Sequence, residues 1–421
     1  MGEIIHTVSS IRADDSEDED EDVEEYRQRM PLKKVRGFIR AGARAQIAWR
    51  PDNVKVAIVT CGGLCPGLNN VVRELVRTLH FQYGVNNVWG VPYGYRGAYN
   101  GDEWIELHPR LPPLKGSHKM GGTVIGTSRG GSDTVKIVDA LEKKGVNMFF
   151  IIGGEGTHLG AEKIYEEVKK RKLKIGVIGI PKTIDNDIEV IDRSFGFDTA
   201  VHEAVRAIHA ARVESKSHTN GVGIVKLMGR DSGFITAHAT LASGDVSLCL
   251  MPEAPFTKDE VLKYVEAVLK KKGNCVIVVA EGAGQDHLLA DGGVDESGNK
   301  HLSDIGPWLC SLIKDYFKTA KTLDPQPTIK YIDPSYTIRS VPPMSSDALY
   351  CNLLAQQAAH GAMAGFTGFT VGLVNNRTVY LPFSLVNRGK KQVRMLGRTT
   401  ERISMQTGFM PASIRRAAHI D

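Results

Sequence analysis

Short apolar runs rich in Val and Ile alternate along this chain with longer stretches whose apolar positions recur every third or fourth residue. The runs Val54-Lys55-Val56-Ala57-Ile58-Val59-Thr60, Val88-Trp89-Gly90-Val91, Met148-Phe149-Phe150-Ile151-Ile152 and Lys174-Ile175-Gly176-Val177-Ile178-Gly179-Ile180 read as strands, the last two of them buried. Between them, Val71, Val72, Leu75 and Leu79 fall on one face of a helix predicted from Asn69 to about Phe81. Val135, Val138 and Leu141 mark a second helix, and a charged third is predicted from about Ala161 to Arg171. A second block, roughly 197 to 337, repeats the alternation. It has an Ala-rich helix at 199–213, a strand at Val222–Leu227, a helix from Gly233, an apolar run Leu248–Met251, a helix at 257–271 and a strand at Cys275–Ala280. Residues 284–303 read as a polar loop; a helix from about Ser346 to Met363 and strands at 369–374 and 378–383 complete the pattern. Units of strand and helix in series predict an α/β fold with two doubly wound, Rossmann-like parallel sheets.

Composition changes this picture little. The 421 residues are 42% hydrophobic and 24% charged, ordinary for a globular chain with room for two domains. No apolar run approaches bilayer length and the N-terminus lacks a basic-then-apolar signal pattern, so a cytoplasmic location with no membrane partner is expected. Charge is more informative. Residues 14–25 hold ten Asp or Glu and no Lys or Arg, so the rest of the chain carries +15 against a net +5. Such a block predicts a solvated, disordered acidic arm, followed by a basic strap to residue 52. A basic body without arginine-rich tracts points to phosphorylated small molecules and away from nucleic acid. Six cysteines lack zinc-site spacing and read as free thiols.

The candidate chemistry centres on Pro181-Lys182-Thr183-Ile184-Asp185-Asn186-Asp187, which leaves the carboxyl end of a predicted buried strand. Ligands of open parallel sheets bind at that end. Two carboxylates beside a threonine hydroxyl and a lysine amine suit deprotonation of a hydroxyl next to a phosphate; the same residues also suit a capped turn. Other predicted strand ends carry Cys61-Gly62-Gly63-Leu64-Cys65-Pro66-Gly67 and Gly153-Gly154-Glu155-Gly156-Thr157, and a further glycine-rich loop is Gly126-Thr127-Ser128-Arg129-Gly130-Gly131. Arg230 and Glu281 stand at the ends of strands in the second block. Several glycine loops with one charged group apiece, gathered at one sheet edge, suit an extended polyphosphate.

These motifs, with Ser194-Phe195-Gly196-Phe197-Asp198-Thr199-Ala200, Lys226 to Arg230, Ala280 to Gly284 and Tyr336 to Arg339, resemble the 6-phosphofructokinase family in order over about residues 54–385. The branch is that of the plant and trypanosomatid ATP-dependent enzymes and the pyrophosphate-dependent ones. The resemblance implies a donor-binding domain at 53–196 plus about 338–385, a fructose 6-phosphate domain at 197–337 and a C-terminal extension at 386–421. It implies Asp185 as the general base on the C1 hydroxyl, with Thr183 and Arg230 contacting the moving phosphoryl group. Ile184, Met228, Gly229, Glu281, Lys330, Tyr336 and Arg339 then fall to the sugar phosphate. Gly63, Tyr95, Arg129, Gly130, Gly154 to Thr157 and Lys182 fall to ATP, and Mg²⁺ to Glu155 and Asp187. A homotetramer, or at least a dimer, is implied because some phosphate-binding cations of the family come from a neighbouring subunit.

The departures from the family are specific. Its Gly-Gly-Asp-Gly loop here carries Glu155, whose extra methylene carries the carboxylate about 1.5 Å further. Lys182 accompanies pyrophosphate use when an aspartate follows the loop carboxylate. Here Gly156 follows and leaves room for a nucleotide α-phosphate, which favours ATP. Gly221 stands where bacterial relatives have an arginine, with Lys226 or another cation as its substitute. A pyrophosphate-dependent enzyme and a weakly active or regulatory subunit, the latter suggested by Glu155, are the competing readings.

Overall fold

A computed structural model describes residues 7–8 and 35–418, except 102, 289–292 and 294–300. The acidic arm predicted at 14–25 and most of the polar loop predicted at 284–303 lie outside the described residues.

The first sheet is built on β1 (Ile39–Arg40), β2 (Lys55–Thr60), β3 (Asn87–Val91), β4 (Ile105–Glu106), β5 (Met148–Gly153) and β6 (Gly176–Pro181). Its central strands β6, β5, β2 and β3 run parallel, and every residue of β5 and β6 is buried. Burial on both faces is why these strands read as unbroken apolar runs rather than alternating ones. One face, with Ile58, Phe150 and Ile178, packs on α1 (Leu68–Tyr83). The other, with Ala57, Phe149, Ile151 and Val177, packs on α2 (Thr134–Lys144) and α3 (Glu155–Lys170).

The second sheet contains β7 (Gly221–Leu227), β8 (Leu248–Leu250), β9 (Asn274–Ala280) and β10 (Thr328–Ile332), all parallel in the order β8-β9-β7-β10. One face packs on α4 (Phe197–Lys216) and α5 (Phe234–Ser243), the other on α6 (Lys258–Lys272) and α7 (Ile305–Ala320). Helix α7 and strand β10 fall in a region where periodicity had marked no element. Ile305, Leu309, Ile313 and Phe317 recur every fourth residue and are all buried, so tertiary packing fixes the helix through one narrow stripe.

The chain then forms α8 (Ser335–Ser340) and α9 (Ser345–Met363) and returns to the first sheet as β11 (Phe369–Val374) and β12 (Arg377–Pro382). That sheet has the order β1-β12-β11-β6-β5-β2-β3-β4. Buried Asp347 at the start of α9 accepts the Thr199 amide at 2.7 Å and its hydroxyl at 2.6 Å, pinning the N-terminus of α4. A short turn, α10 (Phe383–Val386), leads into an irregular strap through residue 393. The helices α11 (Arg398–Thr407) and α12 (Ala412–Ala417) lie against the second lobe, where Tyr264 donates to the Thr407 carbonyl at 2.6 Å. Among the described residues no helix is long and apolar enough to cross a membrane.

Candidate active site

Register decides which loops meet. Gly153 lies opposite Pro181, and the Lys182 amide donates to the Gly153 carbonyl at 2.9 Å, so the loops leaving β5 and β6 emerge side by side. Across β5 the Cys61 amide donates to the Ile152 carbonyl at 2.9 Å, bringing the Gly62–Gly63 turn to the same edge. Thr60 donates to the Gly126 carbonyl at 2.6 Å and Thr127 to the Gly62 carbonyl at 2.8 Å, which laces the third glycine loop to that turn.

Helix α3 begins at Glu155, ahead of the predicted start at Ala161, because Gly156 and Gly160 dilute the apolar pattern of its first turns. Its unpaired amides therefore open on the cleft, an arrangement that suits an anion. A Cβ at Gly153 would stand 2.4 Å from the Thr157 hydroxyl oxygen, so only glycine lets the strand turn this tightly into the helix. Beneath the turn, buried Tyr95 donates to the Thr157 carbonyl at 2.8 Å. Buried His158 has Nδ1 at 3.1 Å from the Gly154 carbonyl and Nε2 at 3.1 Å from the Thr370 hydroxyl. A carbonyl only accepts, so Nδ1 carries the hydrogen and Nε2 accepts from Thr370. Burial pulls this imidazole down to about 4, and it is a neutral brace.

The second sheet supplies the opposite wall. Leu227 lies opposite Ala280, the Glu281 amide donates to the Leu227 carbonyl at 2.9 Å, and the Gly282 amide donates to that of Gly229 at 3.1 Å. This sets Met228, Arg230 and Asp231 beside Glu281. Gly229, at φ +134°, shapes the turn: a Cβ there would meet the Ser232 carbonyl oxygen at 2.4 Å. On α8, Tyr336 and Arg339 are three residues apart, and the guanidinium stands 4.8 Å from the Tyr336 ring centre. Arg339 also reaches the first lobe, since a Cβ on Gly63 would lie 3.7 Å from its Nη1.

Together these loops enclose a cleft of about 410 Å³. Of the residues singled out by sequence, Gly63, Arg129, Gly154 to Thr157, Lys182 to Asp185, Asp187, Met228, Arg230, Glu281, Tyr336 and Arg339 line it. Tyr95, Gly130, Gly229 and Lys330 do not. Lys330 sits on edge strand β10 with its ammonium 3.7 Å from Glu214 of α4, because strand alternation turns its neighbour Tyr331 towards α7 and Lys330 the other way. Sequence reasoning missed Asp231, Asp333, Ser335 and Lys390 in the wall. Asp231 simply follows Arg230, whereas Lys390 lies in what reads as an unpatterned basic tail. Lys226 is also in the wall, but its ammonium pairs with Asp304 at 3.0 Å and Asp333 at 2.8 Å. Its charge is thus held by two carboxylates.

The loop between β6 and α4 is held rigidly. Thr183 donates to Asp187 Oδ1 at 2.6 Å, Ser194 donates to the Thr183 carbonyl at 2.6 Å, and Asn186 Oδ1 accepts the Ser194 amide at 3.0 Å. Asp185 is treated differently: its Oδ1 is buried and has no hydrogen-bond partner. Its carboxyl is pushed up from 3.8 to about 8, first by burial, then by the charges of Asp187 and Glu281, while Arg230 pulls it back. Lys182, buried next to it, is pulled down by its burial. Burial raises the Cys61 and Cys65 thiols to about 12, so neither is a thiolate ligand or nucleophile at neutral pH.

A doubly wound α/β pair of sheets, with glycine loops and cations converging on a carboxyl whose Oδ1 is buried without a hydrogen-bond partner, defines a phosphotransferase. The chain belongs to the phosphofructokinase family: residues 55–362 match the family described as Phosphofructokinase. It is 50% identical over 392 residues to ATP-dependent 6-phosphofructokinase 1 of Arabidopsis thaliana, covering 91% of this chain and 81% of that one. It is 44% identical over 383 residues to the ATP-dependent 6-phosphofructokinase of Trypanosoma brucei brucei, covering 90% and 78%. The pyrophosphate-dependent phosphofructokinase structure from Marinobacter aquaeolei shares the fold, with a TM-score of 0.69 and 20% identity over 86% of this chain and 93% of that one.

Proposed function

We infer that this chain transfers the γ-phosphoryl group of ATP to the C1 hydroxyl of fructose 6-phosphate, giving fructose 1,6-bisphosphate. The observation that carries the reading is the unpartnered Asp185 oxygen, buried where the loops of both sheets converge. A carboxyl poised near neutral pH can hold a proton in the free site and take one from an alcohol in the reaction. Burial and two neighbouring carboxylates make Asp185 a stronger base than a surface aspartate, and Arg230 limits how far.

The donor lies along the glycine loops with its phosphates towards the first turn of α3, Arg129 and Lys182. The sugar phosphate lies against Met228, Glu281, Tyr336 and Arg339. Thr183 has its hydroxyl fixed by Asp187, which orients the loop under the transferred group. Arg230 is the second-lobe cation beside that group.

Mg²⁺ fits this lining. Among the described residues no group of three or more His, Cys, Asp or Glu forms a protein cage. The cleft instead offers oxygen ligands from Glu155 and Asp187, and Mg²⁺ typically takes one or two carboxylates with waters and substrate phosphates. When bound, the ion supplies charge neutralisation of the phosphate oxygens.

ATP is the proposed donor. Gly156 brings no carboxylate to the place of an α-phosphate, and the relatives quoted above are named ATP-dependent. The fold alone does not separate donors. With the Lys330 ammonium near Glu214 and outside the cleft of its own chain, a homotetramer or dimer is the proposed assembly. A coupled assay of the purified chain with fructose 6-phosphate, Mg²⁺ and either ATP or pyrophosphate tests the reading. Turnover with ATP and little with pyrophosphate is expected. Preference for pyrophosphate would overturn the donor assignment, and turnover with neither would favour a regulatory subunit.

A further inference from the structure

The strap after α10 places a cation in the cleft that no sequence motif announces. The Lys390 ammonium stands 3.3 Å from Glu155 Oε2 on the first lobe and 2.5 Å from Asp231 Oδ2 on the second. Glu155 opens helix α3, and Asp231 adjoins Arg230. The gap between them is where, on the functional reading above, the phosphoryl group passes from donor to acceptor. We propose that Lys390 is a catalytic residue whose ammonium binds the terminal phosphate of the donor, exchanging one carboxylate partner for a phosphate oxygen when the nucleotide enters.

The lysine is not needed to fasten the strap. Asn387 donates to Glu162 at 2.7 Å, the Lys391 amide to the Asp187 carbonyl at 2.7 Å, and the Lys391 ammonium to the Ile191 carbonyl at 2.9 Å. The Gln392 side chain donates to the Asp231 carbonyl at 3.0 Å, and the Val393 amide to Glu253 at 2.8 Å. With the backbone pinned on both lobes, the Lys390 side chain is left to the cleft it lines.

The exchange is also cheap in physical terms. Glu155 and Asp231 are 45% and 43% exposed, against 29% for Lys390. Ion pairs to such exposed carboxylates contribute little, because water screens them. A charge-assisted hydrogen bond to a phosphate oxygen is stronger. With Oε2 released, both Glu155 oxygens would be available to a metal carried by the donor. The longer side chain at this position is thus parked on Lys390 until the donor arrives.

The test separates the terminal phosphate from the rest of the nucleotide. Calorimetry on the full chain with Mg²⁺ compares ADP with the β,γ-imido analogue of ATP, for wild type, Lys390→Met and Lys390→Arg. Lys390→Met should bind ADP about as wild type does and the imido analogue about tenfold more weakly, with part of the loss restored by Lys390→Arg. In the coupled assay Lys390→Met should lower kcat by about 10- to 100-fold with little change in the KM for fructose 6-phosphate. Equal weakening of both nucleotides would mean that Lys390 only latches the lobes, and unchanged binding of both would remove it from the site; either result overturns the proposal. Lys390→Gln serves in the same comparison if Lys390→Met lowers the melting midpoint. Failure of the wild-type chain to phosphorylate fructose 6-phosphate would overturn the functional reading, while the nucleotide comparison still decides the role of Lys390.

Discussion

In the ligand-free cleft Asp185 should be a destabilising residue, and Asp185→Asn should make the chain more stable while abolishing turnover. The unfolded chain releases this proton near the ordinary 3.8, the folded chain only at about 8. Between those values the folded state holds a proton that the unfolded state has lost, so the stability this group contributes falls as pH rises and is gone above about 8. Each tenfold change in proton affinity is worth about 1.4 kcal/mol, which bounds the effect at roughly 5–6 kcal/mol. Cleft water reaches part of the side chain, and asparagine brings an amide that also needs partners, so a gain of about 1–3 kcal/mol is expected. The assay is the melting midpoint of ligand-free, metal-free protein at pH 5, 7 and 9. The variant's advantage should open from pH 5 to 7 and level off by pH 9. Equal midpoints throughout, or a variant less stable at pH 9, would refute the account of a carboxyl crowded by burial, Asp187 and Glu281.

The same proton should shape kinetics: kcat/KM for fructose 6-phosphate should climb with pH through an acid limb set by Asp185, whose carboxyl burial raises above the ordinary 3.8, and a flat profile from pH 5 to 9 would remove Asp185 as base. Tyr95→Phe deletes the hydrogen bond to the Thr157 carbonyl and should cost about 1 kcal/mol in stability, with a raised KM for ATP and an unchanged KM for fructose 6-phosphate. Gly156→Asp should depress kcat/KM for ATP by about tenfold or more through repulsion of the α-phosphate; unchanged ATP kinetics would leave the donor choice without its reason.

Periodicity and glycine spacing carried the first lobe because burial on both faces and tight strand-to-helix turns leave strong local marks. Met148 to Gly153 is wholly buried and apolar, and the loop after it needs glycine for a steric reason visible at Gly153 itself. The second lobe's far edge left weaker marks. Strand β10 is five residues long and half-buried throughout, with Lys330 in its middle, so neither an apolar run nor clean alternation survives. Helix α7 did leave a signal, an Asp304 cap and apolar residues at every fourth position, obscured by the polar loop before it. Tyr95 differs again: the resemblance implies a nucleotide residue there, and its hydroxyl lies beneath the loop, donating to the Thr157 carbonyl.

Lys390 marks the physical limit of reading sites from sequence. A helix or strand announces itself because its own backbone repeats, and the apolar side must repeat with it. The strap from Asn387 to Val393 has no repeat, and its course is set by where its amides and side chains find acceptors: the Asp187 carbonyl, Glu253, Glu162. Those acceptors lie on loops and helices of both lobes, brought together only after two sheets have formed and faced each other. Lys390 enters the cleft as a consequence of that docking, so the information locating it is spread over residues from Glu162 to Val393. A motif of any length within the basic tail would not contain it.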